Sequence, residues 1–279
     1  MNSTSDTTGT TKNALLRLVD STDVAVVGGK ASALGVMLRA GFRVPGGFVL
    51  SSGAFRNMNP LIENMLLNAF DKLDSRFVAV RSSAINEDGK DAAWAGQLDT
   101  FLNCQREELI QKIKDCWESV GSERAESYAA QKGMERTQVA VIVQEMVDSE
   151  VSGVAFSAHP VTGNTAQVVI EAGLGLGEAV VSGHITPDTY IANKEDGRLL
   201  ERYIAAQRSM LVRSADEKNT WRDTGPKGDA QKLTGEQIVD ICRLSRELEI
   251  LFKYPVDVEW AIKKNMLYIL QCRPITTLA

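Results

Sequence analysis

The sequence predicts an α+β protein in which helices and strands are mixed rather than alternating as regular βαβ units. Three observations carry that reading. Helical periodicity is concentrated in a few segments, notably 109–120 and 234–251. Short apolar runs of strand length stand between breaks, without the steady strand–helix–strand beat of a doubly wound sheet. The chain closes on two alternating runs, 256–262 and 267–273, joined by a short turn, which is the pattern of a hairpin.

Composition narrows the function classes. A length of 279 residues suits one large domain or two small ones. With 44% apolar and 24% charged residues the chain has the makeup of a soluble globular protein with a sizeable core. A net charge of -5 gives no basic face for nucleic acid, and no apolar run reaches the roughly 18 residues of a membrane span. Residues 1–12 are rich in Ser and Thr and lack the basic start and apolar middle of a signal peptide, so residues 1–20 are expected to form a disordered tail. Cys104, Cys116, Cys242 and Cys272 are widely spaced, with no CxxC pair. They predict neither a zinc site nor a disulfide framework, but reduced, buried thiols in a cytoplasmic protein.

In chain order, residues 23–27 read as a short strand, broken by Gly28 and Gly29, and a helix follows from Lys30 to Ala40 with Gly41 placed to end it. A compact strand over 77–80 ends at Arg81, and polar loops follow over 86–100. Leu109, Ile110, Ile113, Cys116, Trp117 and Val120 mark one face of a helix. Residues 139–147 read as a strand, with 151–157 as its hairpin partner, and 168–171 as another short strand before a glycine-rich turn. The polar stretch 213–232, with Gly225, Pro226 and Gly228, is expected to be an exposed loop. Thr234 and Gln237 have the spacing of a capping box, and Ile238, Ile241, Cys242, Leu248 and Leu251 give the helix that follows a buried face.

The last hairpin is the most informative stretch. A three-residue loop over 264–266 places Val256, Val258, Trp260, Ile262, Tyr268, Leu270 and Cys272 on one apolar face. The other, solvent-facing side then carries Asp257, Glu259, Gln271 and Arg273, with Glu259 opposite Gln271 and Asp257 opposite Arg273. A two-residue loop mixes polar and apolar residues on both faces. Two carboxylates, an amide oxygen and a guanidinium on one face suit Mg2+ and phosphate. From the spacing alone, a salt-bridged exposed hairpin is the favoured reading.

Three further stretches stay open between two readings. Val27-Gly-Gly-Lys30 offers either an anion site at a helix start or a plain turn with a surface lysine, and it lacks the P-loop spacing. Val80-Arg-Ser-Ser83 puts Arg81 beside two hydroxyls at a strand end, for a phosphate or for an ion pair. Glu171-Ala-Gly-Leu-Gly-Leu-Gly-Glu178 implies close backbone approach or a flexible loop, and it does not match the dinucleotide fingerprint. His159 and His184 are the two histidines, and neither has a neighbour at metal spacing. The absence of a Gly-x-Ser-x-Gly elbow disfavours a serine hydrolase.

Taken in order, these stretches resemble the nucleotide domain of the phosphoenolpyruvate synthase, pyruvate phosphate dikinase and rifamycin phosphotransferase family. The resemblance rests on Val27-Gly-Gly-Lys-Ala-Ser-Ala-Leu-Gly35, Gly41-Phe-Arg-Val-Pro-Gly-Gly-Phe48, Val80-Arg-Ser-Ser-Ala84, Ala95-Gly-Gln-Leu-Asp-Thr100 and Val143-Gln-Glu-Met-Val147. It continues through Ser152-Gly-Val-Ala-Phe156, Pro160-Val-Thr-Gly163, Gly173-Leu-Gly-Leu-Gly-Glu178, Asp257-Val-Glu-Trp260 and Leu270-Gln-Cys-Arg-Pro-Ile-Thr276.

The resemblance implies an ATP-grasp fold with lobes over 21–140 and 141–279 and ATP and Mg2+ in the cleft between them. It implies that Lys30 and Arg81 contact phosphates, that Gly96 and Thr100 belong to the loop closing on the triphosphate, and that Gln144 contacts the nucleoside. Glu259 and Gln271 would hold Mg2+, and Arg273 would neutralise phosphate charge. Lys30, Arg81 and Arg273 are then the catalytic candidates. The implied activity is an ATP-dependent phosphotransferase that passes a phosphoryl group, the β-phosphate of ATP in that family, to a histidine on a separate swivelling domain or protein. His159 and His184 do not match the family's phospho-acceptor pattern. The alternatives are a stand-alone kinase or ligase acting on an unidentified small-molecule acceptor, and a non-catalytic nucleotide-binding module.

Overall fold

A computed structural model describes residues 14–85, 99–120, 138–215 and 217–276. The chain folds as two compact α+β units, divided after Met146.

The first unit is built on a five-stranded antiparallel sheet in the order β1-β2-β5-β3-β4. Its strands are β1 (Leu15–Arg17), β2 (Gly47–Leu50), β3 (Val78–Ala84), β4 (Thr100–Cys104) and β5 (Val139–Glu145). Phe48, Leu50, Val78, Val80, Val141 and Val143 alternate onto one face. They pack against Ile62, Leu66 and Phe70 of α2 (Pro60–Phe70) and Leu109, Ile113, Cys116 and Trp117 of α3 (Leu109–Val120). The spacing of these residues is that of a helix face. Asn59 caps α2 by accepting from the amides of Leu61 and Ile62, with Pro60 in the first turn.

The sheet's other face packs against α1 (Val24–Arg39). Residues 23–27, expected as a strand, form the first turn of this helix. Asp23 accepts from the amide of Ala25 and so caps it, and this local bond outweighs the strand preference of a valine-rich run. The break expected at Gly28 is present as a kink, with φ 77° and ψ 170°. Gly41, at φ 85°, ends the helix: its amide bonds Leu38 O at 3.1 Å and that of Phe42 bonds Met37 O at 3.0 Å, a Schellman closure.

The second unit is a six-stranded antiparallel sheet in the order β13-β12-β6-β7-β8-β9. It comprises β6 (Val151–Phe156), β7 (Gln167–Leu174), β8 (Asp188–Asn193), β9 (Leu199–Tyr203), β12 (Val256–Lys263) and β13 (Met266–Pro274). The short helix α4 (Glu178–Val181) follows β7. The long helix α5 (Gly235–Phe252) lays Ile238, Ile241 and Cys242 onto Ala155, Val168, Ile170, Tyr190, Trp260 and Ile262. Thr234 and Gln237 form the expected capping box.

Several expectations are corrected here. Of the tail expected over 1–20, residues 1–13 lie outside the described residues, but Leu15–Arg17 form β1, held against β2, and Leu18–Asp20 form a 3-10 turn, because Leu18 is buried. The strand over 151–157 is not the hairpin partner of β5. β5 already pairs with β2 and β3 on its two sides, so β6 pairs with β7 and β12 instead. The segment 213–232 is not simply a loop. β10 (Ser209–Arg213) pairs with β11 (Asn219–Asp223), and a 3-10 turn over Gly225–Asp229 follows. At its end Lys232 is fully buried and pairs with Asp188 at 3.0 Å. A polar ribbon lacks the apolar alternation by which a half-buried strand is recognised.

The hairpin turn is also shorter than expected. Lys263 pairs with Met266, so the loop is Lys264-Asn265, both at positive φ (50° and 60°). The pairing then shifts between Glu259 and Trp260, with Trp260 opposite Ile269. This bulge absorbs Leu270 as the extra residue. Ile269 and Leu267, rather than Leu270 and Tyr268, therefore share the face of Trp260.

Candidate functional site

In the first unit the candidate residues gather where α1 is kinked against β3. A methyl group at Gly28 would collide with the carbonyl oxygens of Ser83 and Ala84, so glycine is required both by the backbone angle and by the close approach. Beyond the kink, the amide of Ala31 donates to Ser83 Oγ at 3.2 Å and Lys30 Nζ donates to Ser82 O at 3.3 Å. Lys30 thus lies against the end of the strand that carries Arg81.

Arg81 is 9% exposed. It stands opposite Thr100 on β4 and Ile142 on β5. Gln144, two residues beyond Ile142, shares that face. The sheet therefore brings Arg81, Thr100 and Gln144 onto one surface, with Thr100 exposed at its margin. Gln144 is 2% exposed, and its Nε2 has no hydrogen-bond partner among the described residues. Its cross-strand neighbours are Gly47 and Ala79, both small. Gly96 lies outside the described residues.

In the second unit the polar face of β12 and β13 has the expected pairing at the end away from the turn. Asp257 is opposite Arg273 and Glu259 is opposite Gln271. Arg273 donates from Nε to Asp257 Oδ2 at 2.9 Å, with Nη2 at 2.8 Å from the same oxygen. Gln271 is 4% exposed, which corrects the expectation of a solvent-facing side chain. Although β13 is an outer strand of the sheet, Gln271 and Cys272 are both buried. Asp257 is also buried, and its Oδ1 has no hydrogen-bond partner among the described residues. Burial pushes its carboxyl above the usual carboxylate range, opposed by Arg273 and reinforced by Glu259.

Strand pairing adds a residue that the hairpin alone does not reveal. Val154 of β6 lies between Glu259 of β12 and Glu171 of β7, so Glu171, Val154, Glu259 and Gln271 form one row across four strands. Burial and then the charge of Asp257 raise the Glu171 carboxyl above its ordinary value. The sequence showed Glu171 only as the start of a glycine-rich segment. Its place in the row depends on pairing between distant strands, for which no local signal exists.

The glycine-rich segment itself is a packed turn. Gly175, at φ 90°, presents its carbonyl to Ser149 Oγ and Ser152 Oγ at 2.9 and 2.6 Å. The Gln207 amide bonds both the N–H and the C=O of Leu174, at 2.8 and 3.0 Å. A methyl group at Gly173 would press on Ile185 and Val180. Close approach, the first of the two readings of these glycines, is to the protein's own chain.

The first unit offers cationic and amide donors, which suit a polyanionic ligand. The second offers a carboxylate-rich strand face with an arginine, which suits a hard cation and phosphate.

Comparison with known proteins points to a nucleotide as the ligand. The family model described as pyruvate phosphate dikinase, AMP/ATP-binding domain, matches residues 56–279. A probable phosphoenolpyruvate synthase of Archaeoglobus fulgidus is 38% identical over 93% of this chain and 41% of its own length. An uncharacterized phosphotransferase of Bacillus subtilis, YvkC, is 36% identical over 91% of this chain and 34% of its own length. The chain therefore spans well under two thirds of the curated relatives it matches. Among solved structures, a D-alanine–D-alanine ligase of Bacillus anthracis complexed with ATP aligns with a TM-score of 0.42 at 10% identity, covering 92% of this chain and 58% of that one. The matched family model covers most of the chain, and the chain belongs to the pyruvate phosphate dikinase AMP/ATP-binding domain family.

Proposed function

We propose that the two units are the lobes of an ATP-grasp fold, that the chain binds ATP with Mg2+, and that it passes a phosphoryl group from ATP to a histidine on a separate domain or protein. The observation that carries the reading is the polar face of β12 and β13, where Asp257, Glu259, Gln271 and Arg273 converge in a family of AMP/ATP-binding domains.

Within that reading, Lys30 and Arg81 grip phosphates from the first unit, Thr100, at the start of β4 and opposite Arg81, meets them at the margin of the sheet, and Gln144 meets the nucleoside. The unpartnered Nε2 of Gln144 suits a ligand acceptor, because a buried donor without a bond is costly. The donor set of the second unit suits Mg2+: the Glu259 carboxylate, the Gln271 amide oxygen, and a neighbouring Asp257 with a spare oxygen. Bound there, Mg2+ would supply charge neutralisation and orientation of phosphate oxygens. Arg273, tied to Asp257 through one carboxylate oxygen, is held in position as a positive charge for phosphate beside the carboxylates. Positioning and charge neutralisation are the larger part of phosphoryl-transfer catalysis.

The relatives extend well beyond the matched part, which is consistent with a separate acceptor domain. Four buried thiols suit a cytoplasmic location, and among the described residues no helix is long and apolar enough to cross a membrane. The test is incubation with Mg-ATP labelled in the β- or γ-phosphate, together with candidate acceptors. Label from the β-phosphate is expected to be trapped as acid-labile phosphohistidine. Label transferred directly to a small molecule identifies a stand-alone kinase or ligase, and calorimetry without Mg-ATP binding at millimolar nucleotide overturns both.

A further inference from the structure

The Gly41–Phe48 motif has no role in the account of phosphate and metal above, yet its end is bound in an unusual way. Glu145, the last residue of β5, brackets Gly46 completely: its amide donates to Gly46 O at 2.8 Å, and its carboxylate Oε2 accepts from the amide of Gly46 at 3.1 Å. The second carboxylate oxygen accepts from the amide of Asp74 at 2.9 Å, in the loop between α2 and β3. One side chain thus ties the entry of β2 and the entry of β3 to the end of β5. The next amide continues the strapping, from Met146 to Phe77 O at 3.0 Å.

The residue next to this strap is Gln144. Gly47, adjacent to the bracketed Gly46, lies directly opposite Gln144, and a methyl group there would collide with the carbonyl oxygen of Val143 and crowd the Gln144 Cα. Gln144 has its amide donor buried and unpartnered. Whatever fixes Gly46 and Gly47 therefore fixes one wall of the space around that amide.

We propose that Glu145 is a positioning residue for nucleobase recognition, acting through the Gly46–Gly47 backbone on Gln144 and touching no ligand itself. The proposal rests on the reading that Gln144 meets the nucleoside. It predicts a base-specific effect: the strap governs the nucleoside end of the site and leaves the phosphate grip of Lys30 and Arg81 alone.

The test uses the full chain with two probes, Mg-ATP and Mg-tripolyphosphate, the second carrying the phosphates without the base. Affinities are measured by calorimetry for the wild type, Glu145→Ala and Glu145→Gln, with circular dichroism to show that each is folded. Glu145→Ala is expected to weaken ATP about tenfold, the scale of one or two hydrogen bonds to a charged acceptor, and to leave tripolyphosphate within about twofold. Glu145→Gln keeps one acceptor oxygen and is expected to fall between. Equal loss for both probes, or no loss for ATP in either variant, overturns the proposal while the nucleoside reading of Gln144 stands. A wild type that binds ATP no better than tripolyphosphate overturns the reading of Gln144 and the proposal with it.

Discussion

Glu259 and Gln271 face each other across β12 and β13 although the pairing slips by one residue between them and the turn. The two-residue loop and the bulge at Leu270 cancel. A one-residue change of register normally turns every side chain to the opposite face. Here the slip is confined to the segment near the turn, and the carboxylate and amide keep a common face.

That pairing gives the first prediction. Glu259→Ala is expected to remain folded and to lose metal-dependent ATP turnover by about a hundredfold or more, the scale seen when one charge-stabilising group is removed. Gln271→Ala should lose turnover as well. Because Gln271 is buried it should also lower the melting temperature, whereas Glu259→Ala should not. Steady-state nucleotide release at several Mg2+ concentrations, beside thermal melts, checks both. Unchanged turnover in Glu259→Ala would remove it from the site.

Trp260 belongs to the opposite face and is fully buried against α5. Its replacement by alanine is expected to cost about 3 to 5 kcal/mol of stability, measured by urea unfolding. ATP affinity of the folded fraction should change little.

Lys232 and Asp188 are both wholly buried, and their pair is saturated with bonds. Asp188 also accepts from the amides of Ala205 and Lys232 and from Tyr190 OH, while Lys232 Nζ donates to Ala205 O and Gly228 O. Removing one charge strands the other. Lys232→Met is expected to destabilise by about 3 to 5 kcal/mol. Lys232→Met combined with Asp188→Asn should lose less than the sum of the two single variants, since neither charge is then left alone. Additive losses in a denaturant double-mutant cycle would show that the pair is not coupled.

Burial pushes the thiols of Cys104 and Cys116 up to about 12. The folded state then holds protons that the unfolded chain releases near the ordinary thiol value of about 8.5. The contribution of these thiols to stability is complete below that value and declines as pH rises from it toward about 12. A disulfide-exchange reagent at pH 8 is expected to leave both unlabelled in the native protein and to label both after unfolding, with the melting temperature falling above about pH 9. Rapid native labelling of either would contradict their burial.

The proposed dikinase chemistry makes a further prediction about products. Turnover with the true acceptor should yield AMP and phosphate, with the β-phosphoryl group reaching a histidine. Phosphorus NMR distinguishes the outcomes, and ADP as the sole nucleotide product would point to direct transfer of the terminal phosphate.

Much of this architecture is legible in the sequence where periodicity and capping agree. α3 and α5 announce themselves by three- and four-residue spacing, and Thr234 and Gln237 mark the start of α5. At the end of the closing hairpin away from the turn the pairing is as expected, because polar and apolar residues alternate strictly there, whereas the expected solvent exposure of the polar face is not found. The turn end is not as expected, because Lys264-Asn265 lacks the glycine that usually signals a two-residue loop. Residues 23–27 mislead because three valines of strand-favouring composition are overridden by the capping carboxylate of Asp23. β6 was expected beside β5 on proximity in the chain, but the two belong to different sheets. Glu171 joins its row only through β6, and no spacing within its own strand reveals this.

The row of Glu171, Val154, Glu259 and Gln271 also works as a ruler. Neighbouring strands lie about 4.8 Å apart, so groups on a common row are spaced in whole strand widths, with Glu171 and Glu259 about two widths apart. The backbone ladder fixes those intervals, and no single side-chain replacement alters them. Only the length of each side chain adjusts the reach within an interval. A descendant of this sheet could therefore exchange glutamate for aspartate, or amide for acid, and so retune what it grips, while the spacing of the attachment points passed on unchanged.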